Sequence, residues 1–204
     1  MASRGDPALR EDVGEGLPLE RELQRKLIHI SSLLIPLGLW LVPRGLALTI
    51  LGGVTALFLV ADVLRFFPTP FQGFFYRSFG PLLRSHESKD ITASTYLLLA
   101  SFLCAWWFGS KVAILATLYL ILGDSSAALA GRHIGRTRIY GRKTLEGSLA
   151  GLSVNLAIAL CLPLLPSKAE LVGAVVAVLA ELIPGVDDNF VIPLAAGGVM
   201  YLLA

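Results

Sequence analysis

Residues 110–148 read SKVAILATLYLILGDSSAALAGRHIGRTRIYGRKTLEGS. An apolar segment of about 20 residues, the length of a membrane span, covers residues 110–130 and contains Asp124, which small residues follow. Five cations come next, before another apolar segment begins at residue 147. A charge within membrane-like sequence is costly and usually marks function. A glycine-rich, cationic segment that leads into a helix N-terminus suits a phosphate group. Together these features predict an enzyme that handles a phosphorylated ligand at a membrane surface.

The composition of the whole chain indicates a lipid environment. Of its 204 residues, 55% are hydrophobic and 16% are charged, and the mean hydropathy is +0.71. Soluble globular domains carry about 25% charged residues, so the deficit predicts a protein surrounded by lipid. The net charge of +2 means little as a total, and no nucleic-acid partner is expected. Cys104 and Cys161 lie in apolar stretches, which predicts small core residues and neither a disulfide nor a zinc site.

Seven apolar segments predict an all-α fold, a polytopic integral membrane bundle of about seven transmembrane helices. They cover residues 27–43, 46–64, 91–108, 110–130, 147–166, 169–184 and 189–204. Residues 1–20 are polar and rich in glycine, proline and acids, which predicts a disordered tail. Residues 21–204 are then one transmembrane catalytic domain, and its association into a homo-oligomer is left open.

The lysines and arginines predict the orientation of the bundle. Five precede the first segment, and the successive loops hold one, four, one, five, one and none. By the positive-inside rule, the N-terminus and the cation-rich loops face the cytoplasm. The last loop holds Asp187 and Asp188 and no cation, so its cytoplasmic side follows from the segment count alone.

Residues 66–84, between the second and third segments, form an amphipathic stretch. Its apolar side chains fall at helical spacing, with Gln72, Arg77 and Arg84 off that stripe. We predict an interfacial helix in the headgroup layer; the alternative is a helix packed on the bundle.

Under this topology the unusual polar residues gather at the cytoplasmic ends of the segments. They are Lys26, His29, Asp62, Arg84, Glu87, Lys89, Asp124, Lys143, Glu146, Glu181, Asp187, Asp188 and Asn189. Polarity on one side suits a catalyst that takes its substrate from the cytosol, whereas a transporter needs polar groups across the midplane.

Asp124 is the strongest single candidate, because it is a carboxylate within an apolar segment. In a regular helix, Asp124, Ala128, Gly131 and Gly135 share one face. A packing stripe of the Gly-x-x-x-Gly kind would explain the glycines but not the aspartate. We predict that Asp124 binds Mg²⁺.

The cations after Asp124 predict a triphosphate site, although some of them could serve only the positive-inside rule. Lys143 is favoured because it precedes Thr144 at a helix start. Glu146 either compensates the helix dipole or has a metal or nucleotide role. The cations are Arg132, Arg136, Arg138, Arg142 and Lys143.

A second acidic group lies where the last two segments meet. Glu181, Asp187, Asp188 and Asn189 resemble a hard-cation site. Asp188 alone could instead be the N-cap of the last helix.

Three further polar positions have alternatives. His29 is either catalytic or a structural histidine, and Lys26 either contacts the ligand or anchors the helix by snorkelling. Asp62 and Arg65, three residues apart, predict a local ion pair.

Several motifs, in this order, carry a family resemblance. The first two are Arg25-Lys26-x-x-His29, and Glu87 followed by residues 92–99. The third is residues 123–128 followed by Gly131-Arg132-x-x-Gly135-Arg136, and the fourth is residues 142–148. The last is Glu181 followed by Asp187-Asp188-Asn189-x-x-x-Pro193. From about residue 20 to its end, the chain resembles the dolichol kinase, phytol kinase and diacylglycerol kinase family of CTP-dependent membrane lipid kinases. The Gly-Asp…Lys-Thr-x-Glu-Gly core is also similar to that of the CDP-diacylglycerol synthases. The stretch 140–144 lacks the proline typical of those synthases and the chain is short for them, which favours the kinase.

The resemblance implies transfer of the γ-phosphoryl group of CTP, with Mg²⁺, to the hydroxyl of a polyprenol, phytol or diacylglycerol. The expected catalytic residues are Asp124, Lys143, Glu146 and His29. The expected nucleotide-binding residues are Lys26, Gly131, Arg132, Gly135, Arg136, Arg142, Lys143 and Thr144. The expected metal ligands are Asp124, Glu181, Asp187, Asp188 and Asn189. The alternatives are a cytidylyltransferase that makes a CDP-lipid and, in another class, a small membrane transporter or scaffold.

Overall fold

The computed structural model describes residues 29–80, 83, 87, 90–141 and 143–204. The predicted tail, residues 1–20, lies outside these residues, and so do Lys26 and Arg142, two of the predicted ligand-binding cations. Within the described ranges the regular secondary structure is helical apart from one short hairpin.

The helices follow the apolar segments. They are α1 (Leu34–Leu41), α2 (Arg44–Leu64), α3 (Pro70–Phe79), α4 (Ala93–Trp107), α5 (Ser110–Leu118), α6 (Ser125–His133), α7 (Leu145–Cys161), α8 (Ser167–Glu181) and α9 (Asp188–Leu203). A π-helical turn, Tyr119–Asp124, joins α5 and α6 into one continuous helix. Every predicted segment overlaps a helix, and the all-α class is confirmed. The seven-span count and the cytoplasmic N-terminus stay predictions.

The continuous helix Ser110–His133 occupies the centre of the bundle. Residues 112–117 of α5 are all buried, as expected for a helix that is apolar on every side. Helix α5 packs against α1, α4 and α9, while α6 packs against α7 and α9 packs against α8. The central position of this helix carries Asp124 to a place that several other helices can reach.

Two helices in the described part of the chain are long and apolar enough to cross a membrane, α2 and Ser110–His133. Shorter apolar helices cover His29–Leu41, Ala93–Trp107, Leu145–Cys161 and Asp188–Leu203. Helix α2 exposes Leu46, Ile50, Leu57 and further large apolar side chains. Extended apolar surface of this kind is unfavourable in water and marks contact with a membrane or a partner. These features support association with a membrane.

The amphipathic stretch predicted at 66–84 contains the shorter helix α3. Thr69 caps it, with Oγ1 accepting a hydrogen bond from the Gln72 N–H at 3.4 Å, and Pro70 occupies its first turn. No residue of α3 is fully buried, and Phe74 and Phe79 are exposed. Exposed aromatic side chains suit the headgroup layer, and the interfacial location stays a prediction.

The predicted ion pair between Asp62 and Arg65 is confirmed, with 2.7 Å between Asp62 Oδ1 and Arg65 Nε. Both side chains are buried. Arg65 also donates to the backbone carbonyl of Glu87 at 2.8 Å, and Asp62 Oδ2 accepts from the hydroxyls of Thr92 and Thr95. The pair therefore fastens the end of α2 to the start of α4.

Candidate active site

A hairpin after α6 presents Lys143. Strand β1 (Arg138–Tyr140) pairs antiparallel with β2 (Lys143–Thr144), with Arg138 opposite Thr144 and Tyr140 opposite Lys143. Gly141 in the turn has a φ of +56°, a conformation that glycine adopts readily. The hairpin sets Lys143 directly before the N-terminus of α7.

Lys143 links two carboxylates that belong to different helices. Its Nζ lies 2.8 Å from Oδ2 of Asp188 and 3.7 Å from Oε1 of Glu181, and it also donates to the backbone carbonyl of Glu181. The three side chains are 25%, 31% and 9% exposed, in the order Lys143, Asp188, Glu181. Partial burial makes such interactions stronger than those between surface charges. The hairpin is thereby joined to the junction between α8 and α9.

Asp124 ends the π-helical turn and lies in the electrostatic field of Glu181 and Asp188. Its carboxylate is near enough to those of Glu181 and Asp188 to interact with them electrostatically, and the π-turn packs against both α8 and α9. Three carboxylates and one ammonium group therefore gather at one end of the bundle. Among the described residues, no three His, Cys, Asp or Glu side chains form a ready-made metal site. We name the group Asp124, Lys143, Glu181 and Asp188 the carboxylate–lysine cluster.

The stripe of small residues that faces α7 begins at Gly123, one residue before Asp124, where it was predicted to begin. Gly123 and Ala127 face α7 together with Gly131, since Gly147 and Gly151 of α7 approach their backbone and side-chain atoms closely. Ala128 is exposed, so its predicted place in the stripe is wrong. Asp124 follows Gly123, and successive residues leave a helix about 100° apart, so Asp124 lies beside the stripe.

The N-cap of α9 is Asp187. Its Oδ1 accepts hydrogen bonds from the N–H of Asn189 at 2.9 Å and from Nδ2 of Asn189 at 2.8 Å. The alternative prediction, that Asp188 is the cap, is wrong, because Asp188 is the first residue of the helix and pairs with Lys143. Asn189 is buried, with its amide directed to Asp187.

Thr144 and the two predicted ligand-binding glycines form a packing unit. Thr144 caps α7, with Oγ1 accepting from the N–H of Gly147 at 3.2 Å. A Cβ atom added to Gly131 would lie 2.9 Å from that Oγ1, and one added to Gly135 would lie 2.8 Å from it. This close approach explains glycine at both positions, and a role for any of the three in nucleotide binding stays a prediction.

Glu146 lines an open cavity of about 370 Å³. Its carboxylate accepts hydrogen bonds from the Thr137 N–H at 3.1 and 3.2 Å. Hydrogen bonds from backbone N–H groups, first its own and then those of Thr137 and Arg136, lower the pKa of Glu146 and outweigh an opposing effect of desolvation. The remaining lining residues are His133, Ile134, Gly135 and Arg136.

The other predicted site residues lie further out. Arg132 and Arg136 are exposed. His29 begins the described part of the chain, and its Nε2 is buried without a hydrogen-bond partner among the described residues. No hydrogen bond or ion pair in those ranges joins His29 to the carboxylate–lysine cluster.

Two residues were missed by the sequence analysis. His133 lines the cavity beside Arg136, and no signal in its neighbourhood distinguished it from a surface histidine. Asn155 is 2% exposed and lies against Gly123. Its signal was available, because it is an amide within the apolar segment 147–166.

The fold and the site together define a helical, membrane-associated protein with a charged site at one end. No protein-family model and no solved structure matches the chain significantly. The chain is 31% identical over 130 residues to an uncharacterized protein of Rickettsia prowazekii, across 62% of this chain and 63% of that protein.

Two similar proteins have named activities. Over 170 residues the chain is 28% identical to the dolichol kinase EVAN of Arabidopsis thaliana, across 78% of this chain but only 29% of that kinase. Over 163 residues it is 25% identical to CTP-dependent diacylglycerol kinase 1 of Schizosaccharomyces pombe, across 70% of this chain and 74% of that kinase. The chain is therefore a distant relative of two lipid kinases, which supports a kinase function at a coarse level. The relation to the CDP-diacylglycerol synthases stays a prediction.

Proposed function

We propose that this protein is an integral membrane kinase that transfers the γ-phosphoryl group of CTP to the hydroxyl of a lipid alcohol, such as a polyprenol, phytol or diacylglycerol. The observation that carries the proposal is the contact of Lys143 with Asp188 and Glu181, beside Asp124, at one end of an apolar bundle. The choice of nucleotide and acceptor is supported by the two named relatives, a dolichol kinase and a CTP-dependent diacylglycerol kinase.

The cluster has the donor chemistry that Mg²⁺ requires. Mg²⁺ prefers oxygen ligands and usually takes one or two carboxylates together with substrate phosphates. Asp124 with Glu181 or Asp188 supplies that number, and the repulsion among these carboxylates favours uptake of a cation. When bound, Mg²⁺ neutralises charge on the triphosphate. We assign Asp187 and Asn189 a supporting role, since they hydrogen-bond to each other in the cap of α9.

Lys143 would act on the phosphates. Its ammonium group now compensates Asp188 and Glu181, and it becomes available to the triphosphate once those carboxylates are neutralised otherwise. Arg136, which lines the cavity of Glu146, and Arg132, which is exposed on the last turn of α6, would hold the nucleotide from the aqueous side. Phosphoryl transfer depends mainly on such positioning and charge neutralisation.

The acceptor would reach the cluster from the lipid phase, between helices, with its hydroxyl at the membrane surface. The hydroxyl oxygen forms a bond to the γ-phosphorus while the bond from that phosphorus to the bridging β–γ oxygen breaks. The hydroxyl proton passes to a carboxylate of the cluster, and the products are a lipid phosphate and CDP. His29 is not assigned this proton, because no described contact joins it to the cluster.

The proposal is tested with purified protein, Mg²⁺, labelled CTP and a panel of polyprenol, phytol and diacylglycerol. Transfer of label from the γ-position to a lipid supports the kinase, and unlabelled ATP as a competitor measures the nucleotide preference. Failure of every acceptor to take up label, with protein that remains folded, contradicts the proposal and favours the transporter or scaffold.

The position of the label also separates the kinase from the cytidylyltransferase. That rival would use the same ligands but attack the α-phosphorus, so an α-label would enter the lipid and pyrophosphate would be released. The observation that supports this alternative is the Gly-Asp…Lys-Thr-x-Glu-Gly core, which is similar to that of the CDP-diacylglycerol synthases.

A further inference from the structure

Asn155 of α7 fills the space beside Gly123 in the π-helical turn of the central helix. A Cβ atom added to Gly123 would lie 2.5 Å from Oδ1 and 2.8 Å from Nδ2 of Asn155. The Asn155 side chain is 2% exposed. Any side chain at position 123 would therefore displace either the amide of Asn155 or the π-turn itself.

The π-turn determines where the Asp124 carboxylate lies. A π-turn places one more residue in the turn than an α-helix does, and one residue corresponds to a rotation of about 100°. If residues 119–124 were regular α-helix, Asp124 would be rotated by roughly this angle relative to α5. In the structure Asp124 lies in the field of Glu181 and Asp188, and this arrangement depends on the extra residue.

Asparagine at the buried position 155 lowers the stability of the fold. Its Oδ1 is buried and has no hydrogen-bond partner among the described residues, which destabilises a fold. Leucine has the same number of side-chain heavy atoms and would carry no such penalty, but it is bulkier and would press on Gly123. Sequences break a local rule of this kind mainly at functional or strained sites, and π-turns in α-helices are frequent at functional sites.

We propose that Asn155 is a positioning residue for Asp124: packed against Gly123, its side chain fixes the π-turn that directs the carboxylate into the carboxylate–lysine cluster. The inference rests on the proposed kinase function for its catalytic consequence. Misplacing a catalytic group by about 1 Å can cost about 100-fold in rate, so the loss of this contact is measurable.

The first test is N155L, compared with wild type and with S153A, which alters an exposed hydroxyl on another face of α7. We expect N155L to stay folded and to melt close to wild type, because the gain from removing a buried unpaired amide offsets the overpacking of the bulkier leucine, which displaces the π-turn. We also expect kcat to fall at least about tenfold and the Mg²⁺ concentration for half activity to rise. Wild-type kcat and Mg²⁺ dependence in N155L would overturn the inference.

A double-mutant cycle tests the contact itself, and it also decides the matter if N155L does not fold. G123A places a methyl group against Asn155 and should lower kcat, whereas G123A/N155A has room for that methyl group and should be more active than the product of the single effects predicts. If the kcat of G123A/N155A equals the value predicted by multiplying the two single effects, the inference is overturned. G53A is the control, because a Cβ atom there meets nothing within 4 Å, and it should be as active as wild type.

Failure of the inference can be distinguished from failure of the proposed function. If the wild-type protein transfers no label to any lipid, the kinase proposal fails, and hydrogen exchange across residues 119–124 then decides the role of Asn155. Faster exchange of this segment in N155L than in S153A supports a role in holding the π-turn. Equal exchange in the two variants overturns it.

Discussion

Nζ of Lys143 lies 2.8 Å from Oδ2 of Asp188, which joins the hairpin after the central helix to the first turn of the last helix. The two residues are 45 positions apart in the chain. Through this contact, polar residues that lie far apart in the sequence form one site.

We expect K143A to lower kcat by about 100-fold or more, since removing one fixed donor to a developing negative charge typically costs 10²–10³ in rate. The measurement is transfer of γ-label to lipid at saturating CTP. K111A is the matched control, because Lys111 is exposed near the opposite end of the central helix. Equal activity of K143A and K111A would remove Lys143 from the proposed mechanism.

D124N should change the response to metal as well as the rate. The amide keeps the size of the side chain but loses the charge that attracts Mg²⁺, so the Mg²⁺ concentration for half activity should rise about tenfold or more. D187N should have a smaller effect, because asparagine is as good an N-cap as aspartate and Asp187 acts as a cap in the structure. A Mg²⁺ titration of the three proteins measures the difference. Identical titrations for D124N and wild type would contradict metal binding by Asp124.

R65M should lower the stability of the bundle. Arg65 is completely buried, and Asp62 would be left as a buried charge without its partner. Removal of one member of a buried pair typically costs about 3–5 kcal/mol. R77M on the exposed part of α3 should have almost no effect on the melting temperature in detergent. If both variants melt alike, the fastening of α2 to α4 by Arg65 is unimportant.

The contact between Glu146 and Thr137 should depend on pH. Backbone hydrogen bonds lower the pKa of Glu146, so the ionised carboxylate favours the folded hairpin region. This contribution is fully present above the ordinary glutamate pKa of about 4.3 and is lost as the pH falls through the lower folded-state value. The protection factor of the Thr137 amide should fall over that range in wild type and stay flat in E146Q. The Gly147 amide, bound to the Thr144 hydroxyl, is the internal control and should not respond.

The sequence predicted the helices well and the local geometry of the site less well. Apolar segments such as 46–64 and 110–130 become helices because only backbone hydrogen bonds within the segment satisfy the chain in an apolar environment. The ion pair of Asp62 and Arg65 also followed from spacing alone. Both outcomes depend on residues close together in the chain.

The features that were missed depend on contacts between distant parts of the chain. The π-turn at 119–124 includes Gly123, against which Asn155 packs, and no periodicity in the segment itself signals the extra residue. Strands of three and two residues at 138–140 and 143–144 are too short to show alternation. The choice of Asp187 over Asp188 as the cap became clear only with Lys143 next to Asp188.

The membrane topology can be tested with single cysteines in a chain that carries C104A and C161S. The cation count places residue 138 in a cytoplasmic loop and residue 168 in an outer loop, and both residues are exposed in the structure. We expect a membrane-impermeant maleimide to label R138C only in inverted vesicles and K168C only in right-side-out vesicles. Labelling of both from the same side would mean that α7 does not cross the membrane. The reverse pattern would put the carboxylate–lysine cluster on the outer surface, where cytosolic CTP could not reach it, and the proposed kinase would lack its phosphoryl donor.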